Sequence, residues 1–217
     1  EVVILPDGNV DLFFTVSLSE SFHITLLGIA TKPEQAIIKG KRITFAISFT
    51  PLGIEYLVKE RISGLRDKAM NLPKHLWSIS EKDLNDFDKF VTEITLKLEE
   101  MIPKDIDDRK RKLFKYIHSS NGGLSVSELS DKVFWSSRQI NRYFDHYFGI
   151  PLKSYCGILR FRASFSHIKN GKLFPEENFS DQSHFIREIK KLSGVLPKEL
   201  RLNQNDRFIQ FSTLSAR

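Results

Sequence analysis

From residue 81 onward, apolar side chains recur at steps of three and four, the period of helices that bury one face. Leu84, Phe87, Val91, Ile94 and Leu98 predict a long helix over 81–101. Leu124, Val126, Leu129 and Val133 predict a short one, with Ser125 as N-cap and Glu128 three residues on to complete a capping box. Ile140, Tyr143, Phe144 and Tyr147 form the apolar face of a helix over 136–148. A broader face of Leu152, Tyr155, Ile158, Leu159, Phe161, Phe165 and Ile168 suits a long helix over 150–169. Phe185, Ile189 and Leu192 give a narrow stripe on a helix over 181–193, which Ser180 or Asp181 can cap and Gly194 can stop. The first eighty residues read differently. Segments 2–5, 11–16, 22–28 and 42–50 are rich in Phe, Ile, Val and Thr with turn residues between them, so they read as strands, followed by a short helix at 54–58. Pro103 and the charged run 105–112 mark the boundary between the halves.

The polar positions of two helices carry the functional signal. Between the apolar residues of 181–193 lie Gln182, Ser183, His184, Arg187, Lys190 and Lys191, all donors to phosphate or base edges and none acidic. In 136–148, Arg138, Asn141 and Arg142 point away from the apolar face. A short helix, a tight turn and a second helix with basic outward positions is the helix-turn-helix signature. Such turns often contain Gly. Here Phe134-Trp135 occupies the turn, and these aromatics are expected to close it with the backbone at negative φ.

The second helix of such a unit enters the major groove and presents its N-terminal residues to base edges. Against buried Ile140 the outward positions are Ser137, Arg138, Asn141 and Arg142; against buried Phe185 they are Gln182, Ser183, Ile186 and Arg187. Arg pairs bidentately with guanine and Asn with adenine, while Ile186 suits a thymine methyl. His184, Lys190 and Lys191 are better placed for phosphate, which adds affinity without selectivity.

At SVSELSDKVFWSSRQINRYFDHYFGIPLKSY (125–155) and FSDQSHFIREIKKLSGVLPKEL (179–200) the chain resembles the AraC/XylS family of bacterial transcription regulators. DQSHF, the following Arg-Glu and the closing Gly-x-x-Pro at 194–197 are the most specific part. The resemblance covers residues 105–200. It implies an all-α DNA-binding domain of about seven helices, two helix-turn-helix units joined by a long linker helix, with 150–169 as linker. It also implies a regular helix just before Phe179. Lys172-Leu173-Phe174-Pro175-Glu176-Glu177-Asn178 stands there instead, so that helix is expected to start near Pro175 and be short, or to give way to an irregular turn. Leu5-Pro6-Asp7-Gly8-Asn9-Val10-Asp11-Leu12 resembles the opening of a sensor-like domain of unknown function found upstream of some family members.

Charge sharpens the division. Residues 1–104 hold 13 Lys/Arg against 15 Asp/Glu, net −2, and residues 105–217 hold 20 against 12, net +8. Only the C-terminal half suits a polyanion. No span approaches the length of a membrane helix, and no signal peptide is visible. The single cysteine, Cys156, excludes an internal disulfide, fits a reducing cytoplasm and reads as a small core residue. Asp7, Asn9 and Asp11 have the opening spacing of a calcium loop, but Leu12 and Leu18 stand where Gly and Glu are needed. His23, His75, His118, His146, His167 and His184 show no metal-ligand spacing, and no phosphate loop or nucleophile elbow is present, so neither cofactor nor catalysis is indicated.

These readings give an α+β N-terminal region (1–104) with a partial sheet, the double helix-turn-helix domain (105–200) and a tail (201–217). The N-terminal region is assigned a regulatory or dimerising role and a possible small-molecule effector; double-stranded DNA is the partner of the second. A start without Met, at a segment already strand-like, is expected of a fragment lacking its first strands. Two rival classes remain: a sensor or interaction module whose helix-turn-helix half no longer binds DNA, and an enzyme such as a DNA-repair protein fused to such a domain, for which Cys156 in an apolar helix is a poor reactive cysteine.

Overall fold

The structure is a computed structural model that describes residues 1–37, 40–176 and 178–213. Its N-terminal half is built on a four-stranded antiparallel sheet in the order β5-β2-β3-β6, from β2 (Val10–Ser17), β3 (His23–Leu27), β5 (Arg42–Phe49) and β6 (Ala69–Leu72). β1 (Val2–Ile4) pairs with β4 (Glu34–Ala36) in a separate two-stranded ribbon. Alternation fixes the inner face: Val10, Leu12 and Phe14 of β2 are fully buried, and so are Ile24 and Leu26 of β3. Phe14 lies opposite Phe45 in the β2–β5 register. After β5 come the short α1 (Pro51–Gly53) and a wider π-type turn, Ile54–Val58.

The long helix begins later than its apolar spacing predicts. A 3-10 turn over Glu81–Asn85 ends at Asp86, whose extended backbone (φ −139°, ψ 107°) interrupts the helix and whose side chain caps α2 (Phe87–Met101) through the Lys89 N–H. Leu84 and Ile94 are buried as the spacing predicts, but Phe90 is buried with them, edge-on to Phe14 (5.5 Å) and Phe45 (5.1 Å) of the sheet. Phe87 and Val91, expected inside, are 57% and 42% exposed, and Leu98 is half-buried.

The C-terminal half is helical: α3 (Asp108–Ser119), α4 (Val126–Val133), α5 (Ser137–Phe148), α6 (Leu152–Lys169), α7 (Gln182–Ser193), α8 (Pro197–Leu202) and α9 (Ile209–Ser212). α6 is its axle. Leu152, Tyr155, Ile158, Leu159, Phe161, Phe165 and Ile168 are all buried, as the linker pattern predicts, and Leu113, Phe114 and Ile117 of α3 join them in the core. The segment past residue 200 folds back rather than trailing away. Phe208 and Phe211 are buried, Phe211 lies 5.6 Å from Phe165, and Phe208 bridges to Val3 of β1. The first and last parts of the described chain therefore meet.

Candidate nucleic-acid interface

The first helix-turn-helix is assembled by local sequence. Ser125 caps α4 by accepting from the Glu128 N–H, and the Glu128 carboxylate accepts from the Ser125 N–H at 2.7 Å. Those hydrogen bonds hold the Glu128 carboxyl below its usual range. Ser136 and Gln139 repeat the reciprocal arrangement at the start of α5. The turn departs from the expected negative φ. Phe134 is left-handed (φ 53°, ψ 42°), with its N–H on the Ser130 carbonyl and its ring 90% exposed. The helix end demands a left-handed residue to satisfy its last carbonyls, and the demand outweighs the cost to a bulky side chain. Trp135 alone closes the turn, half-buried against Tyr143 at 5.2 Å.

α5 buries Ile140, Tyr143, Phe144 and Phe148 and ends at left-handed Gly149. On its other side Arg138, Asn141 and Arg142 are exposed, and Ser137 is half-buried. Asn141 Nδ2 donates to the Ser137 carbonyl at 3.0 Å. Neither Arg138 nor Arg142 is ion-paired among the described residues. Two guanidinium forks and an amide therefore share one solvent-facing strip.

α7 is capped by Asp181, which accepts from the His184 N–H at 2.8 Å; that bond holds the carboxyl low. Phe185, Ile189, Leu192 and Ser193 are buried. Gln182, Ser183, Arg187, Lys190 and Lys191 are exposed. Gln182 spends its amide on the Leu173 carbonyl at 2.8 Å. Ile186 is half-buried and packs on the core. His184 Nδ1 lies 3.2 Å from the Ser180 N–H, which donates to it, and its ring sits 5.6 Å from Phe179. Lys191 pairs with half-buried Glu188 at 3.7 Å, a partner the donor pattern did not include. Lys191 and Glu188 also line a cavity of about 160 Å³ with Thr31 and Arg66 of the N-terminal half. Lys190 and Arg187 carry no ion pair among the described residues.

No regular helix precedes α7 among the described residues of 170–181, so the irregular alternative holds there; Glu177 lies outside the described residues. Phe179 supports α7 instead, 5.2 Å from Phe185, and Glu176 ties Lys172 (2.9 Å) to His167 (3.8 Å).

The residues weighed as metal or nucleophile candidates take up other local roles. Asp7 accepts from the Asn9 N–H at 2.9 Å and Gly8 is left-handed (φ 83°), a turn leading into β2, while Asp11 is engaged by Ser48 at 2.6 Å. Among the described residues no group of His, Cys, Asp and Glu could hold a metal. Burial pushes the Cys156 thiol up to about 11, so it is not a thiolate near neutrality. No helix among the described residues is long and apolar enough to cross a membrane.

A polar cluster that no local pattern signals joins the halves. Glu55 beside α1 accepts from Lys110 of α3 and from the Tyr143 hydroxyl of α5. The Asp107 N–H donates to the Tyr56 hydroxyl at 3.3 Å, and the Ile62 N–H to the Tyr147 carbonyl at 3.1 Å.

No curated protein matches the sequence. Residues 1–71 match the family model of a domain of unknown function, DUF6597, over the segment whose opening resembles a sensor-like domain. Among solved structures, ToxT from Vibrio cholerae is similar at 12% identity, covering 93% of this chain and 94% of its own, with a TM-score of 0.48. ToxT from Vibrio cholerae O395 shares 14% identity over 99% of this chain and 95% of its own, again at 0.48.

Proposed function

We propose that this chain is a sequence-specific, double-stranded-DNA-binding transcription regulator that places α5 and α7 in successive major grooves. The observation that carries the reading is the outward strip of α5. Arg138, Asn141 and Arg142 are exposed on a helix whose other face is locked by Ile140, Tyr143 and Phe144, and both guanidinia are unpaired among the described residues. Unneutralised donors on the exposed face of a packed helix in a helix-turn-helix suit guanine and adenine edges. On α7, Ser183 and Arg187 read bases and Lys190 meets phosphate. Gln182 joins them by releasing the Leu173 carbonyl; Ile186, His184 and Lys191 take the parts their positions allow at the margin of the contact. The two sites lie about one helical turn apart, on the order of 34 Å.

The N-terminal half takes the regulatory and dimerising role. A cavity of about 350 Å³ between α2 and the turn at Trp77, lined by Trp77, Ile79, Phe90, Ile94 and Lys97 among others, is of a size for a small-molecule effector.

A second reading, a sensor or interaction module with a degenerate helix-turn-helix half, is favoured by the irregular course of the described residues between α6 and α7. Selection from a random duplex library followed by salt titration separates the two. The regulator enriches two half-sites one turn apart and binds them more weakly as salt rises. No enrichment and no salt-dependent binding would establish the module instead.

A further inference from the structure

We propose that Glu55, in the N-terminal half, is a positioning residue for the first DNA-reading helix, holding α5 at the angle from which Arg138, Asn141 and Arg142 meet base edges. This rests on the reading of α5 as a recognition helix.

Glu55 lies outside the helical half, yet its carboxylate is almost wholly enclosed by it. Its side chain is 9% exposed and that of Lys110 15%. One carboxylate oxygen takes the Lys110 ammonium and the other the Tyr143 hydroxyl. The Lys110 ammonium also lies over three rings, those of Tyr143 (4.8 Å), Tyr147 (5.1 Å) and Tyr56 (5.5 Å). Burial disfavours the Lys110 charge, but Glu55 outweighs it and the lysine stays protonated; burial and Glu55 together keep the Tyr143 hydroxyl protonated. Every member therefore keeps the charge or proton that its bonds require.

The cluster grips α5 on the side away from its reading strip, since Tyr143 and Tyr147 are one turn apart and the outward arginines lie across the helix. Further along, the Ile62 N–H donates to the Tyr147 carbonyl at 3.1 Å. At the helix end, Gly149 (φ 65°) is so close to the Ser63 carbonyl that a Cβ would lie 2.1 Å from its oxygen. Three successive levels of α5 thus rest on residues 55–63. A buried, charge-assisted bond is strong and directional, and an interface of such bonds has discrete arrangements rather than continuous slack. Movement of 55–63 would shift the reading strip of α5 while leaving α7 in place.

The test uses the full chain. Glu55→Gln keeps an acceptor for Tyr143 but loses the charge that Lys110 needs, and Glu55→Gln with Lys110→Met removes the charge from both sides so that no buried ion is stranded. Tyr143→Phe removes one hydroxyl. Amide exchange of α5 is measured without DNA, and library selection reports preference at each half-site. The inference expects faster exchange in α5 than in α7 for all three variants. It also expects about a tenfold loss of discrimination at the half-site read by α5, with the α7 half-site and the salt slope unchanged. Unchanged exchange in α5, or equal losses at both half-sites, overturns it. Failure of the unaltered chain to bind any duplex would count against the regulator reading, and α5 exchange would still decide the role of Glu55.

Discussion

The Val3 N–H donates to the Arg207 carbonyl at 2.6 Å, so the first strand of the chain is fastened to the turn before its last described helix. Just beyond, the Leu5 N–H donates to Gln210 Oε1 at 2.8 Å, and the Leu5 side chain is buried in the core to which Phe208 and Phe211 also belong. A core side chain at a seam supports both parts. Leu5→Ala is expected to cost about 2–5 kcal/mol, as in other buried large-to-small changes. Denaturation followed by amide exchange checks it. Exchange at 208–212 should accelerate along with that at 2–4, and acceleration confined to 2–4 would mean that the two ends are not energetically joined.

Arg142 and Arg187 are exposed, each five residues past the first residue of its helix, and neither is neutralised among the described residues. Arg142→Ala and Arg187→Ala should each cost roughly 1–3 kcal/mol in binding and relax preference at one base pair, in different half-sites. Competition binding against single-base variants of a selected site measures both. A uniform loss across all sequences would reassign them to phosphate.

The helical half was legible because its signals are local. Ser125/Glu128 and Ser136/Gln139 write their caps into four consecutive residues, and the apolar face of α6 repeats over five turns. β4 and β6 were missed because they are three and four residues long, with Leu72 the lone buried side chain between them. Asp86 defeated the periodicity of α2: a single extended residue broke the helix, so that Phe90 is buried against Phe14 while Phe87 meets Phe45 only from the exposed edge. At the candidate interface the outward face of α5 followed from its period. The ties on Gln182, His184 and Lys191 did not, since they depend on Leu173, Ser180 and a cavity wall that reaches back to Thr31. Glu55 and Tyr143 are 88 residues apart, beyond any spacing rule.

Phe134 holds a left-handed backbone (φ 53°) while its ring is 90% exposed. The left-handed region costs a non-glycine residue roughly 1–2 kcal/mol. An exposed ring recovers little of that by burial. Phe134→Gly should therefore stabilise the chain, by roughly 1 kcal/mol once the greater freedom of glycine in the unfolded state is counted. A higher denaturant midpoint at unchanged slope is the expected reading. A lower midpoint would show that the ring contributes contacts to the fold.

His118 sits between Phe114 (6.2 Å) and Tyr155 (6.3 Å), with Nε2 buried and lacking a hydrogen-bond partner among the described residues. Burial, then the nearby Arg162 charge, lowers its pKa from the ordinary 6.5. Below pH 6.5 the unfolded chain takes up a proton that the folded chain resists, so this contribution is complete above that pH and is lost as pH falls toward the folded value. The slope from this one group is at most about 1.4 kcal/mol per pH unit. His118→Phe should flatten stability against pH between neutrality and mild acid. A profile as steep as that of the unaltered chain would place the acid sensitivity elsewhere.

Lys190 and Lys191 are adjacent on α7 but differ in circumstance. Lys190 faces solvent with no ion pair among the described residues, whereas Lys191 lies 3.7 Å from Glu188 and borders the cavity shared with Arg66. A lysine that neutralises phosphate releases a counterion, and its removal makes the log–log salt slope shallower by about one unit. Lys190→Ala should do this while lowering affinity evenly across sequences. Lys191→Ala should change the slope less, because part of its charge is already met by Glu188. Removing that carboxylate with Glu188→Gln should then steepen the slope, since Lys191 becomes free to meet phosphate. Titrations of the three variants on one selected duplex and one unrelated duplex test the whole chain of reasoning. Equal slope changes for the two lysines would mean that the Glu188 pair opens on binding, and an unchanged slope in Lys190→Ala would remove Lys190 from the phosphate backbone.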